Sequence, residues 1–156
     1  MTPKKIFSIG SDILQPKIHD TTITTIEYDN KIMGHIFVSW LHPFKEHRFV
    51  VIGSDGMIHF EDSSKGKPLV YYSKNIKWKN NQPFVNEGSA IHIKYENRMP
   101  LTEEIKYFIS HLDGSTLEFA NSESAVEVMQ VLTKASEKLY EDKKSLIEYI
   151  LSLIHI

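Results

Sequence analysis

The first two thirds of the chain shows the hydrophobic pattern of β-strands. Residues 32–60 contain three runs rich in β-branched and aromatic residues, separated by a polar corner at residues 42–48 and a Ser-Asp-Gly turn at residues 54–56. Runs of this kind, bounded by proline and glycine, are typical of strands. We therefore predict that residues 32–60 form a three-stranded antiparallel meander, to which the other elements add strands or pack helices.

Further strands are predicted on both sides of this meander, because short apolar runs alternate there with turn residues. Along residues 33–41, Ile36 and Trp40 share one face of the strand, whereas Phe37 lies on the other. Both faces carry bulky apolar groups, which predicts that both are covered. The additional predicted strands are residues 6–10, 21–28, 69–72, 76–78 and 90–95.

After Pro100 the apolar residues change to a helical spacing. A second helix is predicted after Asn121 or Ser122, either of which can cap it. Strands thus come first and helices last, an α+β order rather than the βαβ alternation of a parallel nucleotide-binding sheet. The apolar residues that share one face of the first helix are Leu101, Ile105, Phe108, Ile109 and Leu112.

Composition and charge narrow the class of protein. A chain of 156 residues with 41% hydrophobic and 24% charged residues is long enough for one domain with its own core. The absence of cysteine excludes thiolate chemistry and disulfides. A net charge of -2 gives no reason to expect nucleic acid or an anionic membrane as a partner. No apolar run approaches the roughly 20 residues of a membrane span, so a cytoplasmic location is the default expectation.

The last six residues, 151–156, read Leu-Ser-Leu-Ile-His-Ile, an apolar stretch that follows a charged helical tail. They look like the translation of a sequencing-library adaptor end, and we expect them to be an artefact. A natural apolar helix end is the alternative. We therefore take residues 1–150 as the domain and leave residues 151–156 out of the fold prediction.

The corner at residues 42–48 is the most suggestive place for ligand chemistry. Cationic side chains at a strand end can hold a phosphate or a carboxylate. The alternative is a solvated hairpin loop whose charges serve solubility. The candidate substrate-binding residues are His42, Lys45 and Arg48.

Other kinds of site find little support in the sequence. The eight histidines fall in no recognised metal-ligand spacing, so no metal site is predicted. Gly53 and Gly56 are followed by no helix and are interpreted as a turn, not as a phosphate-binding loop. Glu61 and Asp62 are interpreted as part of a solvated loop, and no catalytic residue is assigned.

Five segments stand in an order and spacing that point to a known family. They are residues 24–30 (Thr-Thr-Ile-Glu-Tyr-Asp-Asn), 39–43 (Ser-Trp-Leu-His-Pro), 51–58 (Val-Ile-Gly-Ser-Asp-Gly-Met-Ile), 100–109 (Pro-Leu-Thr-Glu-Glu-Ile-Lys-Tyr-Phe-Ile) and 124–132 (Ser-Ala-Val-Glu-Val-Met-Gln-Val-Leu). Together they resemble the C-terminal domain of the glucose–fructose oxidoreductase and inositol dehydrogenase (Gfo/Idh/MocA) family. The Ser-Trp-x-x-Pro form looks most like the branch that acts on nucleotide-linked amino sugars and their uronic acids.

The resemblance implies both a fold and a chemistry. The implied fold is an open, mostly antiparallel β-sheet with two C-terminal helices packed on one face. The other face of such a sheet often packs against a partner subunit, which implies a homo-oligomer. The implied chemistry is an NAD(P)-dependent oxidoreductase that passes a hydride between nicotinamide and a carbon of a sugar or nucleotide sugar.

This sequence departs from the family pattern where catalysis takes place. The family's dinucleotide-binding Rossmann domain and its Glu-Lys-Pro motif, which carries the catalytic lysine, are missing, and Gly66-Lys67-Pro68 does not replace that motif. Asp55 and His59 match the family's Asp-x-x-x-His motif by letters only, because residues four apart on a strand lie roughly 13 Å apart. We therefore expect no catalytic residue and no cofactor bound by this chain alone, with NAD(P) implied for the full-length protein.

Three interpretations of function follow. The first is a fragment: the C-terminal substrate-side and oligomerisation domain of an NAD(P)-dependent sugar or nucleotide-sugar oxidoreductase, inactive alone. The alternative is a stand-alone, non-catalytic sugar-binding or dimerisation module. The third is an unrelated α+β enzyme, which would show a pocket with convergent titratable groups away from the predicted meander.

Overall fold

The computed structural model describes the backbone of residues 2–154 and the side chains of residues 2–140. In this part of the chain strands precede helices, which confirms the α+β class. The elements are β1 (Lys5–Ser11), β2 (Thr21–Glu27), a 3-10 turn (Asp29–Lys31), β3 (Met33–Ser39), β4 (Arg48–Ile52), β5 (Met57–Glu61), β6 (Leu69–Tyr72), β7 (Asn75–Lys79), β8 (Gln82–Asn86), β9 (Ala90–His92), α1 (Pro100–Ser110) and α2 (Ser122–Ile154).

The chain divides into two compact units. The first contains Met1–His42 and Ser110–Ile156, and the second contains Pro43–Ile109. Of the tail at residues 151–156, the last two residues lie outside the described part, and its origin stays a prediction. Neither described helix is long and apolar enough to cross a membrane.

The first unit is a three-stranded antiparallel sheet, in the order β1-β2-β3, with α2 packed against its edge strand β1. Its buried core is small: Ile6 and Ile26 are paired across β1 and β2, and Ala135 of α2 packs on them. Asn121 caps α2, because its Oδ1 accepts a hydrogen bond from the N–H of Ser124 at 2.8 Å. The predicted helix start is therefore confirmed at Asn121.

The face of this sheet opposite α2 is apolar and exposed. Ile9, Ile23 and Phe37 lie side by side across the three strands, and they are 61%, 44% and 54% exposed, respectively. Trp40, which follows β3, is 84% exposed and is not a core residue of the described structure. Both faces of β3 carry apolar groups, but this face is uncovered in the described part of the chain, so the prediction that both faces are covered is not met there.

A loop joins β1 to β2 and is held by one buried carboxylate. Oδ2 of Asp20 accepts the N–H groups of Ile13 and Leu14, each at 2.7 Å. Asp20 is 6% exposed, so these two charged hydrogen bonds replace the water that it gives up on burial. The loop is thereby fixed to the start of β2.

The second unit holds two antiparallel sheets, β4-β5-β6-β9 and β7-β8. Gly53 donates its N–H to the carbonyl of Gly56 at 2.9 Å, which closes the predicted turn between β4 and β5. Val70 of β6 is buried, with 4% of its surface exposed. The predicted first helix is confirmed as α1, but Leu101 and Phe108 of its apolar stripe are 66% and 65% exposed.

The predicted three-stranded meander over residues 32–60 is wrong. β3 pairs with β2 in the first unit, whereas β4 pairs with β5 in the second. Tight hairpins use loops of about two to five residues, whereas residues 40–47 form a longer connection that contains Pro43, which has no N–H. This connection does not force β4 to return beside β3.

Strand β8 was not predicted, although the sequence before it carries a hairpin signal. Asn80 and Asn81 both have positive φ, 51° and 59°, as in a type I′ hairpin turn. Asparagine tolerates this conformation better than most residues. Trp78 pairs with Pro83 across the hairpin. Because proline is depleted from sheets, Pro83 makes this strand hard to predict from the sequence.

Candidate functional site

The three residues predicted to bind substrate are not brought together within one unit. His42 is the last residue of the N-terminal segment of the first unit, where its ring packs edge-on against Phe37 with ring centroids 6.1 Å apart. Lys45 and Arg48 belong to the second unit, Lys45 in the connection before β4 and Arg48 as the first residue of β4. Lys45 and Arg48 are both exposed, and they are the part of the candidate site that one unit supplies.

Arg48 is held by a neighbouring carboxylate. Its Nη2 lies 2.9 Å from Oε1 of Glu46, and the two side chains are 52% and 42% exposed. Exposed ion pairs of this kind contribute little to stability. A phosphate or carboxylate group of a ligand can therefore replace Glu46 at the Arg48 guanidinium at small cost, and the planar guanidinium suits such groups.

The backbone of the corner is tied to the turn after β5. His47 donates its N–H to Oγ of Ser63 at 3.1 Å, and its carbonyl accepts the N–H of Asp62 at 2.8 Å. These bonds continue the β4–β5 ladder, which begins with Arg48 opposite Glu61. The backbone of His47, directly before β4, is therefore held by hydrogen bonds rather than free in a loop.

The carboxylate of Asp62 lies between the side chains of Lys67 and His47. Its Oδ1 lies 2.6 Å from Nζ of Lys67, and its Oδ2 lies 3.7 Å from Nδ1 of His47. The hydrogen bond from Lys67 lowers the pKa of the Asp62 carboxyl, and the same bond raises the pKa of Lys67. Both groups therefore stay charged at neutral pH, and neither is suited to general acid or base catalysis. Lys67 of the Gly-Lys-Pro sequence is held in a structural ion pair.

A second polar group is formed by alternate residues of β5 and the turn that follows it. Oγ of Ser63 donates a hydrogen bond to Oε1 of Glu61, and Oε2 of Glu61 lies 3.8 Å from Nε2 of His59. The carboxylate stands between the hydroxyl and the imidazole, an order that does not activate a serine nucleophile. The expectation of a solvated loop is wrong for Glu61, whose side chain is 13% exposed. The recurrence of polar residues at every second position was the signal for this cluster.

Metal and phosphate sites gain no support from the geometry. Among the described side chains, no group of three or more His, Asp or Glu residues could hold a metal ion. Gly53 and Gly56 close a turn between two strands, whereas a phosphate loop opens onto a helix N-terminus. Asp55 lies in that turn and His59 lies within β5, not one turn apart on a helix. This placement agrees with the prediction that the two residues are not a catalytic pair.

A shallow depression of about 470 Å³ lies at the start of α1, away from residues 32–60. Arg98 donates from Nη2 to Glu96 at 2.7 Å and from Nη1 to Glu103 at 3.1 Å, and these bonds raise the pKa of Arg98. Lys106 donates to Glu103 at 2.9 Å and lowers the pKa of that carboxyl. Both shifts favour the charged forms, so this pocket lacks the poised acid or base expected of an unrelated enzyme site.

Comparison with known proteins bears on the fold. No protein-family profile and no curated protein matches this chain. Among solved structures, UDP-N-acetylglucosamine 3-dehydrogenase GnnA from Acidithiobacillus ferrooxidans is similar over 88% of this chain, with a TM-score of 0.67 and 13% sequence identity. A Thermotoga maritima protein provisionally named an oxidoreductase is similar over 85% of this chain, with a TM-score of 0.62 and 11% identity.

This chain spans less than half the length of both similar proteins, 42% of GnnA and 37% of the Thermotoga maritima protein. At such low identity the similarity concerns the fold alone. The chain therefore has the fold of one part of two larger proteins that are named as oxidoreductases. The α+β fold expected from the resemblance is confirmed.

Proposed function

We propose that this chain is the C-terminal, substrate-side and oligomerisation domain of a cytoplasmic, NAD(P)-dependent oxidoreductase that acts on a sugar or nucleotide sugar. The observation that supports this most directly is the fold that it shares, over 88% of its length, with part of a UDP-N-acetylglucosamine dehydrogenase. The dinucleotide-binding Rossmann domain and the catalytic Glu-Lys-Pro lysine lie outside these residues. The chain alone is inactive.

The residues of this chain bind and orient substrate. The nicotinamide, when bound by the Rossmann domain, supplies the hydride chemistry. Lys45 and Arg48 contact the negatively charged part of the substrate, such as the diphosphate of a nucleotide sugar. Arg48 then pairs with the diphosphate instead of with Glu46. His42, in the first unit, is a separate predicted contact for the substrate.

The exposed apolar face of the first unit supports a homo-oligomer. Ile9, Ile23 and Phe37 form a continuous row on it, and each is at least 44% exposed. Contiguous apolar surface of this kind is characteristic of protein–protein contacts. We assign this face to contact with a partner subunit.

Calorimetric titration of the purified chain tests the substrate-binding part of the proposal. UDP-N-acetylglucosamine is expected to bind, and NAD and NADP are not. Arg48→Ala and Lys45→Ala are each expected to weaken nucleotide-sugar binding about tenfold, because each removes a charged hydrogen bond. Lys79→Ala, on β7 of the same unit, is the matched control and leaves the affinity unchanged.

Two results would contradict this assignment. The first is reduction of NAD or NADP by the purified chain with any sugar substrate. The second is nucleotide-sugar binding that is unaffected by Arg48→Ala and Lys45→Ala alike.

The alternative function is a stand-alone, non-catalytic sugar-binding or dimerisation module. The missing Glu-Lys-Pro motif and the tethering of Lys67 by Asp62 favour a non-catalytic role for these residues in either case. The two functions differ in whether a Rossmann domain is encoded in frame before Met1. The coding sequence of the source therefore separates them.

A further inference from the structure

Glu61 is the direct cross-strand neighbour of Arg48, the arginine proposed to hold the anionic part of the substrate. The two residues are paired in the register of β4 on β5. Glu61 donates its N–H to the carbonyl of Pro68 at 3.2 Å, so its backbone groups point away from β4. Arg48 and Glu61 therefore form a non-hydrogen-bonded pair, the kind in which facing side chains come closest. Opposite charges in such a position attract each other.

Among the described side chains, the ion pair of Arg48 is nevertheless with Glu46 rather than with Glu61. Nη2 of Arg48 lies 2.9 Å from Oε1 of Glu46, and these two side chains are 52% and 42% exposed. The Glu61 side chain is only 13% exposed. A carboxylate so far removed from water would hold the guanidinium more tightly than Glu46 does, because charges attract more strongly where water is excluded. An anionic ligand would then compete less well for Arg48.

Two other side chains hold the Glu61 carboxylate. Oγ of Ser63 donates a hydrogen bond to Oε1 of Glu61, and Oε2 lies 3.8 Å from Nε2 of His59. His59 stands two residues before Glu61 on β5, so both side chains share one face of the strand. Ser63 is itself fixed, because its Oγ accepts the N–H of His47 at 3.1 Å. Each oxygen of the carboxylate thus has a partner other than Arg48.

We propose that Ser63 and His59 are positioning residues for substrate binding, which keep the Glu61 carboxylate off Arg48 and leave the guanidinium to the exchangeable Glu46. This inference rests on the proposed function, because it takes Arg48 as the contact for the anionic part of the substrate. Ser63 and His59 act through Glu61. Their removal therefore weakens ligand binding only while residue 61 carries a negative charge.

Calorimetric titration of the full chain with UDP-N-acetylglucosamine tests this dependence. In Ser63→Ala/His59→Leu the released Glu61 is expected to pair with Arg48 and to weaken binding up to about fivefold, as expected for a cross-strand pair of opposite charges. Adding Glu61→Gln should restore the affinity, because a neutral amide does not compete with the ligand for the guanidinium. Ser64→Ala, in the same turn, is the matched control and should bind like the unmodified chain.

A double-mutant cycle between Arg48→Met and Glu61→Gln follows the same change without any ligand. Urea unfolding gives the coupling between the two substitutions. The coupling should be small in the unmodified chain and clearly larger in Ser63→Ala/His59→Leu, where Arg48 and Glu61 are expected to pair. The unfolding curves also show whether each variant folds. Ser63→Thr, which keeps the hydroxyl, replaces Ser63→Ala as a conservative variant and should leave the coupling small.

The inference and the proposed function fail in different ways. Equal coupling in both backgrounds would overturn the inference, and so would a loss of binding that Glu61→Gln does not restore. The proposed function fails if the unmodified chain does not bind UDP-N-acetylglucosamine. In that case the double-mutant cycle still decides whether Ser63 and His59 keep Glu61 off Arg48.

Discussion

Nζ of Lys67 lies 2.6 Å from Oδ1 of Asp62, and this contact fixes the turn after β5 beside the corner that carries Arg48. The carbonyl of Lys67 in turn accepts a hydrogen bond from the hydroxyl of Tyr95 at 2.5 Å. The turn is thus held from two sides. It supports the backbone of His47, which directly precedes Arg48 at the start of β4.

The lowered pKa of Asp62 predicts a specific response to removal of Lys67. Because the folded-state pKa is depressed, the contact stabilises the protein above the usual Asp62 pKa of 3.8, and this contribution is lost as the pH falls through the folded-state value. The raised pKa of Lys67 matters at high pH. Its contribution to stability is present below the usual lysine pKa of 10.5 and is lost as the pH rises through the folded-state pKa of Lys67. In Lys67→Met the Asp62 pKa should rise towards 3.8.

Carbon-13 NMR titration of the Asp62 carboxyl measures this change. Lys65→Met, in the same turn, is the control and should leave the Asp62 pKa where it is. An Asp62 pKa that does not move in Lys67→Met would show that the ion pair is absent in solution.

Removal of the Asp20 carboxylate should destabilise the first unit. The carboxylate is buried and accepts two backbone N–H groups, from Ile13 and Leu14. Asp20→Ala leaves both donors without their charged partner, at a cost of about 2–3 kcal/mol. Urea unfolding gives the free energy, and hydrogen exchange should show faster exchange at Ile13 and Leu14. Asp12→Ala, which removes one exposed bond to Lys17, should cost less than about 1 kcal/mol.

Two glycines in the same sheet should respond differently to a methyl group. A Cβ at Gly10 would lie 2.8 Å from Cδ2 of His19 and 3.0 Å from the carbonyl oxygen of Thr21, whereas a Cβ at Gly34 meets nothing within 4 Å. Gly10→Ala should therefore cost about 1–3 kcal/mol of unfolding free energy. Gly34→Ala should be neutral or stabilising by up to about 1 kcal/mol. Equal effects in thermal or urea unfolding would contradict the close packing at Gly10.

Strand β2 offers a matched pair for the core. Ile26 is 6% exposed in the core of the first unit, whereas Ile23 is 44% exposed on the opposite face. Ile26→Ala should cost about 2–5 kcal/mol, and Ile23→Ala much less when the protein is dilute enough to be monomeric. A cost for Ile23→Ala that grows with protein concentration would support an intermolecular contact on that face.

Local patterns in the sequence predict most of the elements but not how they are joined. The helical spacing after Pro100 and the cap at Asn121 are local, so α1 and α2 could be predicted. The strand over residues 82–86 was missed because Pro83 interrupts its pattern, although the Asn80-Asn81 turn before it is typical of a hairpin. The predicted meander is wrong because strand pairing depends on contacts distant in sequence. Residues 40–47 form a connection that does not require β4 to pair with β3.

The same distinction holds for the candidate site. The cations Lys45 and Arg48 are visible in the sequence as a cluster of charges. The contact of the Asp62 carboxylate with His47 could not be predicted from the sequence, because it exists in only one register of β4 on β5. A shift of one residue would move every side chain to the other face.

The coding DNA upstream of Met1 in the source tests the central claim most directly. We predict an in-frame segment that encodes a strand, a glycine-rich turn and a helix, followed by a Glu-Lys-Pro motif. That result would make these residues the substrate-side domain of a dinucleotide-dependent oxidoreductase. A stop codon and a ribosome-binding signal immediately before Met1 would contradict the claim and leave a stand-alone binding or dimerisation module.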